Sequence, residues 1–79
     1  MTRRTSMTLS DAPIGAPVRI HRLTSRPEIS TRLRELGFCE NSIVRCLMRG
    51  HGNIICEVYD TRVGLNNVLA SGIHVSHSE

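Results

Sequence analysis

A mainly β (α+β) fold is predicted, a small five-stranded barrel with one inserted α-helix and a short C-terminal helical turn. Three observations carry that prediction. Alternating apolar runs rich in β-branched residues recur along most of the chain. One segment alone has a helical apolar stripe with both a start and a stop signal. Gly50-His51-Gly52 joins two of the apolar runs in the manner of a hairpin.

Length and composition narrow the field. At 79 residues the chain makes one domain, and a domain this short buries only roughly 60–65% of its unfolded surface. Little is left for a deep active-site cleft. Phe38 and Tyr59 are the only aromatic residues and Trp is absent, so Val, Ile and Leu between Val18 and Val75 must carry the packing. No run approaches the ~18 apolar residues of a membrane span. The start of the chain has the charge of a signal n-region, but no apolar stretch follows it. A cytoplasmic location is therefore expected. All ten basic residues are Arg and the net charge is +3. Spread along the chain, they read as a solvated face before they read as a footprint for nucleic acid or an anionic membrane.

Residues 1–8 are expected to be a disordered leader, residues 9–76 the folded domain and residues 77–79 a tail. Leu9 to Gly15 reads as a short turn into the first strand, Val18 to Leu23, where Val18 and Ile20 share a face. The helix follows, from about Pro27 to Leu36. Ser25 and Glu28 have capping-box spacing, and Pro27 sits in the first turn, where its missing N–H does no harm. Ile29, Leu33 and Leu36 form the apolar stripe, and Gly37 is placed to close the helix in a left-handed conformation. Asn41 suits the turn that comes next, because Asn tolerates a positive φ.

Ser42 to Arg49 and Asn53 to Tyr59 are the hairpin strands. A three-residue loop over Gly50 to Gly52 sets Arg49 opposite Asn53. Met48 then faces Ile54, Cys46 faces Cys56 and Val44 faces Val58, all on the core side. Arg45 meets Glu57 on the other side as an opposite-charge pair. Asp60-Thr61 makes a tight turn, Arg62 to Leu65 a short strand, Asn66 to Ser71 a helical turn, and Gly72 to Val75 the closing strand. This order matches an SH3-like barrel. The expected core is Val18, Ile20, Ile29, Leu33, Leu36, Val44, Cys46, Ile54, Cys56, Val58, Val63, Leu65, Ile73 and Val75.

The stretch Arg32-Leu33-Arg34-Glu35-Leu36-Gly37-Phe38 is similar to an R-L-x-x-L/M-G-hydrophobic signature. Leu9, Gly15, Val18 and Ile20 upstream, and Ile54-x-Cys56-x-Val58, Val63-x-Leu65 and Ala70-x-x-Ile73-x-Val75 downstream, fit the same pattern. In order and spacing the chain resembles the FeoA family, the small cytoplasmic component of bacterial ferrous-iron uptake, over about residues 8–76. It departs from the family at Glu40-Asn41, where Pro-Gly is usual, at Asp60, where Gly is frequent, and at Asn66, where Arg is common. The resemblance implies a partner, the FeoB membrane transporter with its cytoplasmic GTP-binding domain. The same domain type also closes iron-dependent repressors.

No nucleophile with a base, no paired carboxylates and no Gly-rich phosphate loop frame a catalytic site, so an enzyme is not expected. No cofactor is expected either. The histidines fall in no zinc-binding spacing, and His74 and His77, three apart on a strand, face opposite sides. Cys39, Cys46 and Cys56 contain no C-x-x-C pair, and two of them fall on the core face, where free thiols are expected. RNA or another nucleic acid is the alternative ligand for a small basic barrel, weakened by Tyr59 being the only surface aromatic. The expected binding residues are Ile43, Leu47, Arg49, Ile55 and Tyr59. Leu47 lies opposite Ile55 and Ile43 opposite Tyr59, an apolar strip on the outer face with Arg49 at its end. Either the bent barrel, the helix or the N-terminal segment covers this strip, or it docks the transporter or a second copy of the chain.

Overall fold

The computed structural model describes residues 7–78. Six antiparallel strands form one sheet: β1 (Met7–Thr8), β2 (Pro17–Leu23), β3 (Ile43–Gly50), β4 (Asn53–Val58), β5 (Thr61–Asn66) and β6 (Ile73–His77). Their order is β1-β6-β2-β3-β4-β5. Helix α1 (Pro27–Glu35) connects β2 to β3, the single turn α2 (Asn67–Ala70) connects β5 to β6, and a 3-10 turn (Leu9–Asp11) follows β1. The expected mainly β, SH3-like fold is observed, with one strand more than expected. That strand is β1: Met7 and Thr8 pair with Val75 and His74 instead of belonging to a leader. His77, expected in the tail, pairs with Val18. Residues 1–6, the rest of the expected leader, lie outside the described residues, as does Glu79.

The core is aliphatic apart from one ring. Val18, Ile20, Val44, Cys46, Ile54, Cys56, Val58, Leu65, Ile73 and Val75 point into it from the strands and Leu33 from α1. Phe38, Leu9, Ala12 and Ala70 join them, and Phe38 is the largest fully buried side chain. Ile29 and Val63, expected inside, are only half-buried against this cluster. Leu36, also expected inside, is 43% exposed. The helix terminus explains the exchange of Leu36 for Phe38. Gly37, at φ +108, ends α1, the Phe38 N–H donates to the Leu33 carbonyl at 2.9 Å, and the Gly37 N–H donates to Arg34 at 3.0 Å. This Schellman arrangement brings the side chain just past the glycine onto the helix residue five before it. Phe38 therefore takes the core position, and Leu36 is left on the rim.

The helix start differs from expectation as well. Arg26 is the N-cap, without a side-chain cap bond, and Glu28 makes only an exposed 3.7 Å contact with Arg26. Pro27 at the first helical position holds the preceding residue extended, which leaves Ser25 one residue too far out for a capping box. The Ser25 carbonyl instead accepts from the buried Ser30 hydroxyl at 3.1 Å. Asn66 does cap α2, its side chain accepting from the Leu69 N–H at 2.9 Å.

Both hairpin turns have two residues. His51-Gly52 and Tyr59-Asp60 each hold two consecutive positive φ values, at 52° and 80° and at 51° and 63°. That is the type I′ geometry, whose twist matches the strands it joins. The shorter first turn corrects the expected register at one end only. Arg45 opposes Glu57 and Cys46 opposes Cys56 as expected, but Met48 opposes Ile55, Arg49 opposes Ile54 and Gly50 opposes Asn53. A β-bulge at Leu47-Met48 absorbs the extra residue. Beyond it Met48 no longer faces the core and is 58% exposed, while Arg49 comes to the face of Cys46.

Arg49 ties the entry segment down from there. Its guanidinium Nη2 donates to the Ala12 carbonyl at 2.6 Å and lies 3.9 Å from Cys46 Sγ. Nearby, the Gly15 N–H donates to the Cys46 carbonyl at 2.7 Å, and Ile14 bridges Cys46 in parallel.

Candidate docking surface

The outer face of β3 and β4 carries the strip expected from the sequence. Ile43 is 41% and Tyr59 70% exposed, and Leu47 and Ile55 are half-buried. Among the described residues neither α1 nor the entry segment covers it: Ile43, Met48 and Tyr59 all remain exposed. Its outline differs from expectation in two residues. Met48, brought over by the bulge, joins Leu47 and Ile55. Arg49 leaves the strip, because the same bulge sends its side chain to Ala12 and Cys46. The hydrophobic alternation contains no signal for a bulge and predicts a regular ladder.

The strip falls into two shallow depressions. Ile43 and Tyr59 border one of about 250 Å³, together with Pro17, Arg45, Glu57 and Asp60. Leu47, Met48 and Ile55 form the floor of a second, of about 460 Å³, with Arg62 and Gly64 at its side. Between the two, Arg45 and Glu57 approach to 3.9 Å, a long and partly exposed ion pair that contributes little to stability. Tyr59 is fixed more firmly than its exposure suggests. Its hydroxyl and that of the buried Ser42 are 3.0 Å apart. Its ring lies over Gly37, where a Cβ would meet it at 3.1 Å. A bulky residue at φ 51° is unusual, and the ring's contacts with Ser42 and Gly37 hold it there.

The thiols are placed as the sequence suggests. Cys46 and Cys56 oppose each other, buried and unbridged, and Cys39 is half-buried. Burial, reinforced by the neighbouring Cys46, pushes the Cys56 thiol up to about 12. Such a thiol is almost never ionised near neutrality and is a poor nucleophile and metal ligand. His74 lies against Thr24, its Nε2 3.4 Å from the hydroxyl. Among the described residues no three His, Cys, Asp or Glu side chains are grouped to hold a metal ion. No helix among them is long and apolar enough to cross a membrane.

A small antiparallel sheet with one helix between its second and third strands, and an apolar outer strip, is thus in place. The FeoA domain model matches residues 7–77, nearly the whole chain. The chain belongs to the FeoA family. No curated protein sequence matches it, but solved structures do. A crystal structure of an iron uptake regulatory protein (FeoA) superposes with a TM-score of 0.84 at 19% identity, covering 94% of this chain and 100% of that one. Stenotrophomonas maltophilia FeoA complexed with zinc, described as a unique prokaryotic SH3 domain protein, is 28% identical with a TM-score of 0.78, covering 89% of each chain. A manganese-dependent transcriptional repressor matches with a TM-score of 0.84 at 20% identity, over 98% of this chain but 44% of the repressor. The FeoA fold therefore also occurs as one part of a longer protein.

Proposed function

We propose that this FeoA domain is a non-catalytic interaction module. It binds and modulates a FeoB-type ferrous iron transporter on its cytoplasmic side, with the outer face of β3 and β4 as the contact. Family membership supports the pathway, and the S. maltophilia relative is itself described as a candidate activating factor of ferrous iron transport. The apolar strip, left uncovered by the described residues, is the observation that carries the reading. Ile43 and Tyr59 on one side of the Arg45–Glu57 pair, and Leu47, Met48 and Ile55 on the other with Arg62 beside them, put two apolar depressions and their charges on one face, a mixture of apolar and polar groups that suits an interface. Iron is the transporter's cargo in this scheme, and any GTP turnover belongs to the transporter.

The test is capture of the transporter from the native membrane fraction by the tagged domain, with Leu47→Asp beside wild type. A carboxylate at the centre of the strip abolishes capture while the circular dichroism and thermal transition of a folded barrel persist. Capture at wild-type strength, or an unfolded variant, removes the strip from the reading. No transporter in the wild-type capture removes the reading itself.

A further inference from the structure

We infer that the free edge of β5 is a β-augmentation site, taking an extended, acidic and apolar segment of a partner protein as a seventh strand. β5 is the last strand of the sheet. Val58 and Thr61 close the two-residue turn at Tyr59-Asp60, so they form a hydrogen-bonded pair, and such pairs alternate along an antiparallel ladder. Val63 and Leu65 consequently bond to β4, while the N–H and C=O groups of Arg62 and Gly64 point away from it. Among the described residues no backbone hydrogen bond links those groups to any other element. They form an unused template for a strand.

The surroundings of Gly64 fit an occupant of that kind. Gly64 is exposed and borders two depressions at once. The one of about 460 Å³ lies on the outer face, floored by Leu47, Met48 and Ile55. The other, of about 500 Å³, lies between β5 and α1, floored by Ile29, Leu36 and Leu69. Successive side chains of an added strand point to opposite faces, so neighbouring apolar residues would enter the two depressions. The exposure of Leu36 also acquires a role here. Arg62 flanks the outer depression, and Arg32 the inner one together with Glu28, whose carboxylate is turned to Arg26 at 3.7 Å. Neither makes an ion pair among the described residues, where the salt bridges are Arg26–Glu28, Arg34–Glu40 and Arg45–Glu57. Carboxylates at the ends of the segment would pair with them, and the net charge of +3 favours an acidic partner over a second copy.

This inference shares the outer depression of Leu47, Met48 and Ile55 with the strip, but it rests on the free backbone of β5 and does not depend on which protein supplies the segment. The probe is a fluorescein-labelled peptide, Glu-Thr-Val-Leu-Val-Glu, and the same peptide N-methylated at alternate residues along one edge. Binding is read by anisotropy and by amide hydrogen exchange of the protein. The unmodified peptide binds and slows exchange at Arg62 and Gly64, and N-methylation weakens it by roughly tenfold or more, the cost of two or so backbone hydrogen bonds. Gly64→Pro removes the outward donor at a position where an edge strand accepts proline, and it weakens binding similarly. Gly64→Ala keeps the donor, and its Cβ would meet only the Ile54 carbonyl at 4.0 Å, so it binds as wild type does. Equal binding of the methylated and unmodified peptides overturns the inference even if Gly64→Pro fails to fold. No binding of the unmodified peptide overturns it too. A wild-type dimer in sedimentation that Gly64→Pro dissolves would assign the edge to a second copy instead.

Discussion

Leu36 and Phe38 exchange the places that helical periodicity gives them. The stripe of Ile29, Leu33 and Leu36 is correct in its period, but it does not register that the chain leaves the helix at Gly37. One residue beyond, Phe38 is carried back under Leu33 and is fully buried. Leu33→Ala is therefore expected to cost about 2–5 kcal/mol and Phe38→Ala about 3–5 kcal/mol, whereas Leu36→Ala leaves the urea midpoint close to wild type. The Cys56 thiol gives a second expectation. With its pKa raised in the folded state to about 12, the folded protein holds a proton that the unfolded chain releases near pH 9. Its contribution to stability is complete below that point and is lost as the pH rises from about 9 to 12, at no more than about 1.4 kcal/mol per pH unit. Cys56→Ala should flatten the decline in urea midpoint over this range. A decline of equal slope in both proteins would show that other groups cause it.

At the scale of elements, the strands, the helix and the two-residue face alternation were legible because each has a local cause. Apolar period, Pro27 and Gly37 mark α1, and the pairing of Cys46 with Cys56 follows from counting. The ends were less legible. Whether Ser25 or Arg26 caps α1 depends on how Pro27 directs the residue before it, and whether Gly50 lies in the turn or in the strand depends on a bulge some residues away. The two-residue strand β1 has no period at all and exists only because β6 offers it an edge. Two turn substitutions check this account. Gly37→Ala places a Cβ at φ +108 against the Tyr59 ring and is expected to destabilise by at least about 1 kcal/mol. Asp60→Gly, in a turn position with φ 63° that favours glycine, is expected to raise stability by about 0.5 kcal/mol. Thermal denaturation of the two variants should move in opposite directions.

For the molecule as a whole, the sequence indicated the SH3-like order of elements and the apolar strip, and the described residues leave that strip uncovered. What it could not indicate was the outline of the strip, because Met48 and Arg49 change sides at the bulge. By its charge beside apolar residues Arg49 reads as part of the rim, yet it fastens the entry segment to the barrel. Arg49→Ala should therefore lower stability by about 1–3 kcal/mol, through the loss of a charged hydrogen bond to a buried-side carbonyl, and leave transporter capture by the folded fraction intact. Loss of capture without loss of stability would return Arg49 to the contact surface.

The bulge at Leu47-Met48 also bears on which changes of chain length the domain tolerates. A strand in a sheet with one buried face ordinarily cannot lose a residue, because everything beyond the deletion turns over. Here one residue is surplus to the ladder. Deleting Met48 would leave Leu47 opposite Ile55, with Arg49, Gly50 and their partners where they are. Deleting Glu57 in the facing strand would turn buried residues outward. The first shortened chain should be recovered folded and monodisperse and the second should not, so relatives that differ in length by one residue in this hairpin can share a single core.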